Sequence, residues 1–230
     1  MKQWKKFFAV LLSCALLLSL CGCSTVAEKV VDKLTEAQMT TLVQGNLDQL
    51  YLGTADEEYL KFVNSTQAES LQLYEETMGY KAEDFAYYFL IEFMTDDLHA
   101  ELTELCKEIF SHVSYTVGTG TKVDDTTVSV NVELRPLNIY EQMVADLDAY
   151  MADFYAKYPE SVVAAMDDAA YAAYDAEWAD LLIALCREKL KTVGYGDTLN
   201  MALQVKLEND VWCITDEALT GFDTLVITYP

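Results

Sequence analysis

The sequence predicts an α+β protein: a small curved antiparallel sheet of about four strands, built as two hairpins and packed against several helices. Three observations carry this expectation. Apolar residues recur at helical spacing in the first half of the chain, as at Leu98, Leu102, Leu105 and Ile109. The period then changes to two, at Val128, Val130, Val132 and Leu134 and again at Leu199, Met201, Leu203, Val205 and Leu207. Between those two stretches lies a long Ala-rich segment of helical period, so helices and strands are segregated along the chain.

The chain opens on Lys2, Lys5 and Lys6, followed by an apolar run from Phe7 to Leu20. That run is about 14 residues, where a membrane-spanning helix needs roughly 20, and its basic start fits a secretory leader. Leu20-Cys21-Gly22-Cys23 then resembles the lipobox of bacterial lipoproteins, with Leu three positions before the cysteine and a small residue just before it. The resemblance implies cleavage after residue 22 and a diacylglycerol thioether on Cys23. Cys21 follows the bulky Leu20, which suits the cleavage pocket less well. Two acyl chains hold a protein stably on a membrane, where one binds only marginally. The expected organisation is a leader over 1–22, lipidated Cys23 with a tether over 23–33, and one α+β domain over 34–230.

Within that domain the first helix carries Met39, Leu42 and Val43 on one face and is expected to end or kink at Gly45-Asn46, before a turn over Leu47 to Leu52. Thr54 with Glu57 reads as a capping box opening a helix toward Met78, with Gly79 as its stop. Further helices are expected near Ala82 to Met94 and Asp96 to Ser111, the second capped by Thr95. Val113, Tyr115 and Val117 alternate with Ser114, Thr116 and Gly118, and pair across a Gly- and Asp-containing turn with the Val128–Leu134 strand. One face of that hairpin meets a core and the other meets water.

Pro136 ends the second strand. Asn138 with Glu141 is expected to cap a helix whose stripe is Tyr140, Met143 or Val144, Leu147, Met151, Phe154 and Tyr158, broken by Pro159. An Ala-rich helix follows from about Glu160 to Lys191, with Arg187, Lys189 and Lys191 complementing its negative end. These two form a helical insertion between the hairpins. The second hairpin turns at Glu208-Asn209-Asp210 into Val211 to Ile214, with Trp212 and Ile214 expected in the core. A short helix after Thr215 and an extended Thr224 to Tyr229 close the chain.

Together with the lipobox, the segments Tyr115-Thr116-Val117, Thr127-Val128-Ser129-Val130, Val205-Lys206-Leu207 and Trp212-x-Ile214 resemble a group of uncharacterised lipoproteins of Gram-positive bacteria. That resemblance implies a cystatin-like or nuclear-transport-factor-like sheet with extra helices, and it carries over no catalytic residue. The ending Leu225-Val226-Ile227 departs from the helical ending the resemblance implies.

Composition narrows the function. The chain holds 15 Lys and Arg against 38 Asp and Glu, net −23, and loss of the leader's three lysines leaves −26. Phosphate backbones are bound through Lys and Arg, so nucleic acid is not an expected partner. Beyond the leader and Cys23 the cysteines are Cys106, Cys186 and Cys213, with no CxxC spacing. Cys106 and Cys186 fall beside apolar helix positions, and one disulfide among the three is left open.

Asp96 with His99, and Glu104, Glu108 and His112, have spacings that can ligate metal, but no second Glu-x-x-His, no His-Glu-x-x-His and no calcium loop accompanies them. No metal or cofactor is assigned. The pairs Asp96-Asp97, Asp124-Asp125 and Asp167-Asp168 read as helix starts and turns. No Gly-x-Ser-x-Gly and no Gly-rich phosphate loop is present, and no catalytic residue is assigned. Tyr171, Tyr174 and Trp178 recur at i, i+3, i+7, a stripe that more often packs in a core but can stack a flat polar ligand.

The expected function is a non-catalytic lipoprotein on the outer face of the cytoplasmic membrane of a Gram-positive bacterium. It is held by lipid on Cys23 and acts as a protein-interaction or envelope-maintenance module, with an envelope protein as partner. The alternative is a small-ligand or saccharide-binding lipoprotein using Tyr171, Tyr174 and Trp178.

Overall fold

A computed structural model of the chain describes residues 35–208 and 211–230. The leader, Cys23, its tether and the turn residues Asn209 and Asp210 lie outside the described residues. The described residues form an α+β fold of nine helices and one four-stranded antiparallel sheet, in the strand order β1-β2-β3-β4.

Helix α1 spans Glu36–Leu47 and opens on a capping box in which Thr35 and Gln38 exchange hydrogen bonds. It passes through Gly45 rather than ending there. Gly45 is required by proximity, since a Cβ at that position would lie 2.2 Å from Cγ of Tyr59. The chain then widens into a π turn over Asp48–Leu52, which Gly53 closes in the left-handed conformation at φ 65.

The next two predicted helices regroup. Asp56, not Thr54, caps a short α2 over Glu57–Phe62, accepting the Tyr59 N–H at 2.7 Å. Asn64 turns the chain at φ 53, a conformation its short polar side chain tolerates. A capping box formed by Thr66 and Glu69 then opens α3, which runs over Gln67–Tyr88 straight through Gly79. A glycine inside a helix costs about 1 kcal/mol. Burial of Met78 and Ala82 on either side of it, with Phe85 beyond, outweighs that cost. Helix α4, Asp96–Phe110, is capped by Thr95 as expected.

The strands are β1 Ser114–Lys122, β2 Thr127–Arg135, β3 Leu199–Glu208 and β4 Val211–Ile214. Val128, Val130, Val132, Leu134, Leu203, Val205 and Ile214 form the buried face, as the alternation predicts. Pairing of β1 with β2 slips between Val117 and Gly120, an irregularity that curves the sheet. Helix α1 lies close on β1 here. A Cβ on Gly120 would meet Val128 Cγ1 at 3.1 Å and Met39 Cβ at 3.3 Å, and the Thr40 hydroxyl donates to the Gly118 carbonyl at 3.1 Å.

Each of the two helices expected between the hairpins is broken. The first becomes α5, Ile139–Tyr150, and α6, Ala152–Lys157, with Met151 buried at the joint. Asn138 occupies the N-cap position without capping, because its side-chain oxygen accepts from Gln142 Nε2 at 2.7 Å. The second becomes α7, Glu160–Val163, and α8, Asp168–Leu190, because the Asp167 carboxylate accepts the Ala170 N–H at 2.9 Å and starts a new helix. Asp96-Asp97 likewise opens α4, and Asp124 sits in the β1–β2 turn, where it accepts the Thr126 N–H at 2.7 Å.

Helix α9, Asp216–Val226, runs further than expected, so extended backbone begins at Ile227 rather than Thr224. Ile227 bridges Leu137 in parallel, with Leu137 N–H donating to Val226 O and Thr228 N–H to Leu137 O, each at 2.8 Å. One contiguous core from Met39 to Ile227 joins the sheet to the helices.

Candidate functional site

The segment between α3 and α4 exposes apolar side chains on a backbone held by buried polar contacts. Helix α3 ends when Leu90 adopts φ 58, a left-handed conformation that costs an L-residue about 1–2 kcal/mol. Helix α8 holds the segment there from both sides. Asp175, 1% exposed, accepts the N–H of Glu92 at 3.0 Å and of Phe93 at 2.7 Å. Three residues on, Trp178 Nε1 donates to the Phe89 carbonyl at 2.8 Å. Positions i and i+3 share one helix face, so a single turn of α8 clamps the loop. The result is apolar surface in water: Tyr87 is 79% exposed, Leu90 75% and Phe93 42%.

The predicted stripe belongs to this clamp. Tyr171, Tyr174 and Trp178 are half-buried: Tyr171 meets Phe93, Tyr174 meets α6, and Trp178 packs both on α6 and against the core. Tyr171 lies 5.5 Å from Tyr174 and 5.7 Å from Phe93, between ring centroids. Phe154 lies 5.0 Å from Tyr174 and 5.5 Å from Trp178. Tyr158 joins Tyr174 edge-on and donates its hydroxyl to Glu177 at 2.7 Å. Burial first, and the charges of Glu92 and Asp175 second, push the Tyr171 phenol above its ordinary range.

Asp175 and Phe93 are the parts that sequence reasoning missed. The signal for Asp175 was a carboxylate between Tyr171 and Trp178 on the face of an aromatic stripe, a place charged residues avoid unless paired.

The fold resembles that of a solved Bacillus subtilis protein. That structure, from subsp. subtilis str. 168, is described as a "putative lipoprotein (ycdA)"; it aligns with a TM-score of 0.58 at 13% identity, over 86% of this chain and 58% of that one. The likeness is one of fold, and this chain spans little more than half the neighbour's length. No protein-family model and no curated protein matches the chain.

A second polar cluster ties α3 to α9. Lys81 Nζ lies 2.7 Å from each carboxylate oxygen of Asp223, which also accepts the Tyr51 hydroxyl at 2.9 Å. Asp84 borders this pair, and burial, opposed by Lys81 and reinforced by Asp223, holds its carboxyl above the usual range.

The disulfide left open among Cys106, Cys186 and Cys213 is not formed: all three are free thiols. Burial pushes Cys106 up to about 12 and Cys186 upward as well, so both stay protonated. Of the residues with metal-ligating spacing, Glu104 pairs with Lys107 at 2.7 Å and Glu108 with Arg187 at 3.2 Å. Among the described residues, no three His, Cys, Asp or Glu side chains gather where they could hold a metal ion. Ile214 is core as expected, whereas Trp212 is half-buried at the core's edge and lines a hollow of about 200 Å³ with Thr35, Lys122 and Asp124. No described helix is long and apolar enough to cross a membrane.

Proposed function

We propose that the chain is a lipid-anchored, extracytoplasmic interaction module of the bacterial envelope, without catalytic activity, that engages another envelope protein through the Phe89–Thr95 loop. The observation that carries this reading is the pairing of Leu90, left-handed and 75% exposed, with the buried Asp175 that holds its loop. Strained backbone persists only where its surroundings over-determine it, and apolar surface displayed in this way marks contact sites.

The lipobox at Leu20–Cys23 supports lipid on Cys23 and a place on the outer face of the cytoplasmic membrane of a Gram-positive bacterium. The name of the Bacillus neighbour supports the same anchoring. A kinship of the sheet with cystatin-like or nuclear-transport-factor-like folds belongs to this proposal too.

A photo-cross-linking residue placed at position 90 in living cells tests the reading. It is expected to form a protein adduct that the same residue at position 133, on the solvent face of β2, does not form. Identical patterns from the two positions would sink it. Replacing Cys23 with Ala is expected to release the protein from the membrane fraction.

A second reading, small-ligand or saccharide binding, is favoured by the Tyr171 and Tyr174 rings, tilted by 34° to one another and continued by Phe93. It expects a saccharide to raise the melting temperature in the native chain and not in Tyr171→Ala.

A further inference from the structure

A trough lies along the α3–α4 pair, whose helices the apolar loop connects. The trough, about 350 Å³, is lined by Glu75, Glu76, Gly79, Tyr80, Glu83 and His99. At its centre Gly79 faces the His99 ring, 3.4 Å from where a Cβ would stand. Tyr80, Glu83 and Tyr87 fall at i, i+3 and i+7 of α3, hence on one face, so the helix face that lines the trough continues past Tyr87 toward Leu90.

Carboxylates predominate around it. From Ala82 to Ala100 the chain carries Glu83, Asp84, Glu92, Asp96 and Asp97 and neither Lys nor Arg. Among the described residues, Glu83, Asp96 and Asp97 have no ion-pair partner. At the far end an ammonium is already accommodated: Lys107 Nζ lies 2.6 Å from Glu75 and 2.7 Å from Glu104.

We propose that the trough and the Leu90 loop together dock a cationic, apolar polypeptide segment of the partner. Its Lys or Arg side chains lie along Glu76, Glu83 and Asp96, and a neighbouring apolar side chain covers Leu90 and Phe93. The inference rests on the interaction-module reading above and adds the partner's chemistry. The faces of Tyr80 and Tyr87, 37% and 79% exposed, suit a cation that is losing water. The same carboxylates repel phosphate-bearing ligands and anionic lipid, which leaves a basic peptide as the complementary occupant.

The test uses residues 24–230, which contain the whole described core, and a labelled synthetic peptide with Lys and Leu at helical spacing. Its counterpart with Glu for Lys serves as control. Fluorescence anisotropy is expected to show binding of the Lys peptide alone. Leu90→Ser and Phe93→Ser should each weaken it about tenfold, as loss of a central apolar anchor does. Glu83→Gln combined with Asp96→Asn should weaken it and flatten its salt dependence. Melting temperatures establish that each variant is folded.

Equal binding of the Glu peptide overturns the proposal. So does a loss confined to the charge variants, the mark of unspecific attraction to an acidic chain. If the Lys peptide fails to bind while position 90 still cross-links a protein in cells, the cationic partner falls and the interaction module stands. Failure of both removes both.

Discussion

The carboxylate of Asp175, in the second turn of α8, receives the backbone N–H of Phe93 at 2.7 Å while only 1% exposed. It receives the N–H of Glu92 as well. Hydrogen bonds to a buried charge contribute about 1.5–3 kcal/mol each, and an amide left without an acceptor adds its own desolvation cost. Asp175→Ala is therefore expected to destabilise the protein by roughly 3 kcal/mol in urea unfolding. Asp175→Asn, which keeps one acceptor oxygen, should lose about half as much. Hydrogen exchange at Glu92 and Phe93 should accelerate in Asp175→Ala while exchange in β2 changes far less.

Leu90 carries the opposite sign. Its left-handed backbone costs about 1–2 kcal/mol, and at 75% exposure its side chain recovers little of that by burial. Glycine removes the strain but makes the unfolded chain more flexible, which returns part of the gain. Leu90→Gly is expected to raise stability by about 0.5–1 kcal/mol, or a few degrees in melting temperature at this size. The same variant should lose the Lys-peptide binding proposed above. Gain of stability with loss of binding is the signature of strain held for contact.

Such strain was not legible in the sequence. Nothing in Tyr88-Phe89-Leu90-Ile91 is a turn signal: Leu90 turns left-handed where glycine is usual and lets the Ile91 N–H reach the Ala86 carbonyl at 2.8 Å, while the carboxylate that holds the amides beyond it lies 83 residues away from Glu92 along the chain. The hairpins were legible because their information is local: alternating Val and Leu opposite Ser, Asn and Glu leaves one way to bury a face. Helix ends were read less well where two local signals competed. Thr54 with Glu57 reads as a capping box, but Asp56 two residues on takes the cap, and the left-handed turn at Asn64 separates α2 from the helix that Thr66 opens. The Tyr171/Tyr174/Trp178 stripe was visible from its spacing. Its destination on α6 and Phe93 was not, because spacing identifies a face and not what the face meets.

Two helix glycines separate close approach from tolerance. At Gly45 a Cβ would fall 2.2 Å from Cγ and 2.7 Å from Cβ of Tyr59, atoms near the ring's attachment that cannot swing away. Gly45→Ala should cost about 1–3 kcal/mol by overpacking, despite the roughly 1 kcal/mol by which Ala favours a helix. At Gly79 the nearest atoms are His99 Cε1 and Nε2, at 3.4 and 3.8 Å. Gly79→Ala should therefore stabilise the protein by up to about 1 kcal/mol. Thermal melts of the pair moving in the same direction would contradict the packing.

The thiols give an unfolding clock. Cys106 and Cys186 are buried and held protonated, whereas Cys213 is half-buried, with Sγ donating to the Lys206 carbonyl at 3.7 Å. Alkylation requires a thiolate and access. For residues 24–230 under native conditions, iodoacetamide should label Cys213 slowly and leave the other two intact. All three should react at once in denaturant. Mass spectrometry that finds Cys106 labelled in the folded protein would contradict its complete burial in the core.

Asp84 sets a pH dependence whose direction follows from its surroundings. Burial raises its carboxyl above the ordinary 3.8, Lys81 opposes this, and Asp223 and Glu83 add to it. A carboxyl raised by folding binds its proton more tightly in the folded chain than in the unfolded one. Between 3.8 and its folded value the folded chain therefore carries more protons, and stability falls as pH rises through that window. Above the window the loss is complete and constant, and below 3.8 it is absent.

Asp84→Asn removes this penalty while leaving the Lys81–Asp223 pair in place. It should be more stable than the native chain at pH 7, with the advantage shrinking through the window and gone below 3.8. Urea unfolding of both proteins from pH 3 to pH 8 reads the difference directly, since carboxylates elsewhere cancel between them. A variant less stable than the native chain at pH 7 would mean that attraction to Lys81 outweighs burial, and that Asp84 belongs to the ion pair rather than bordering it.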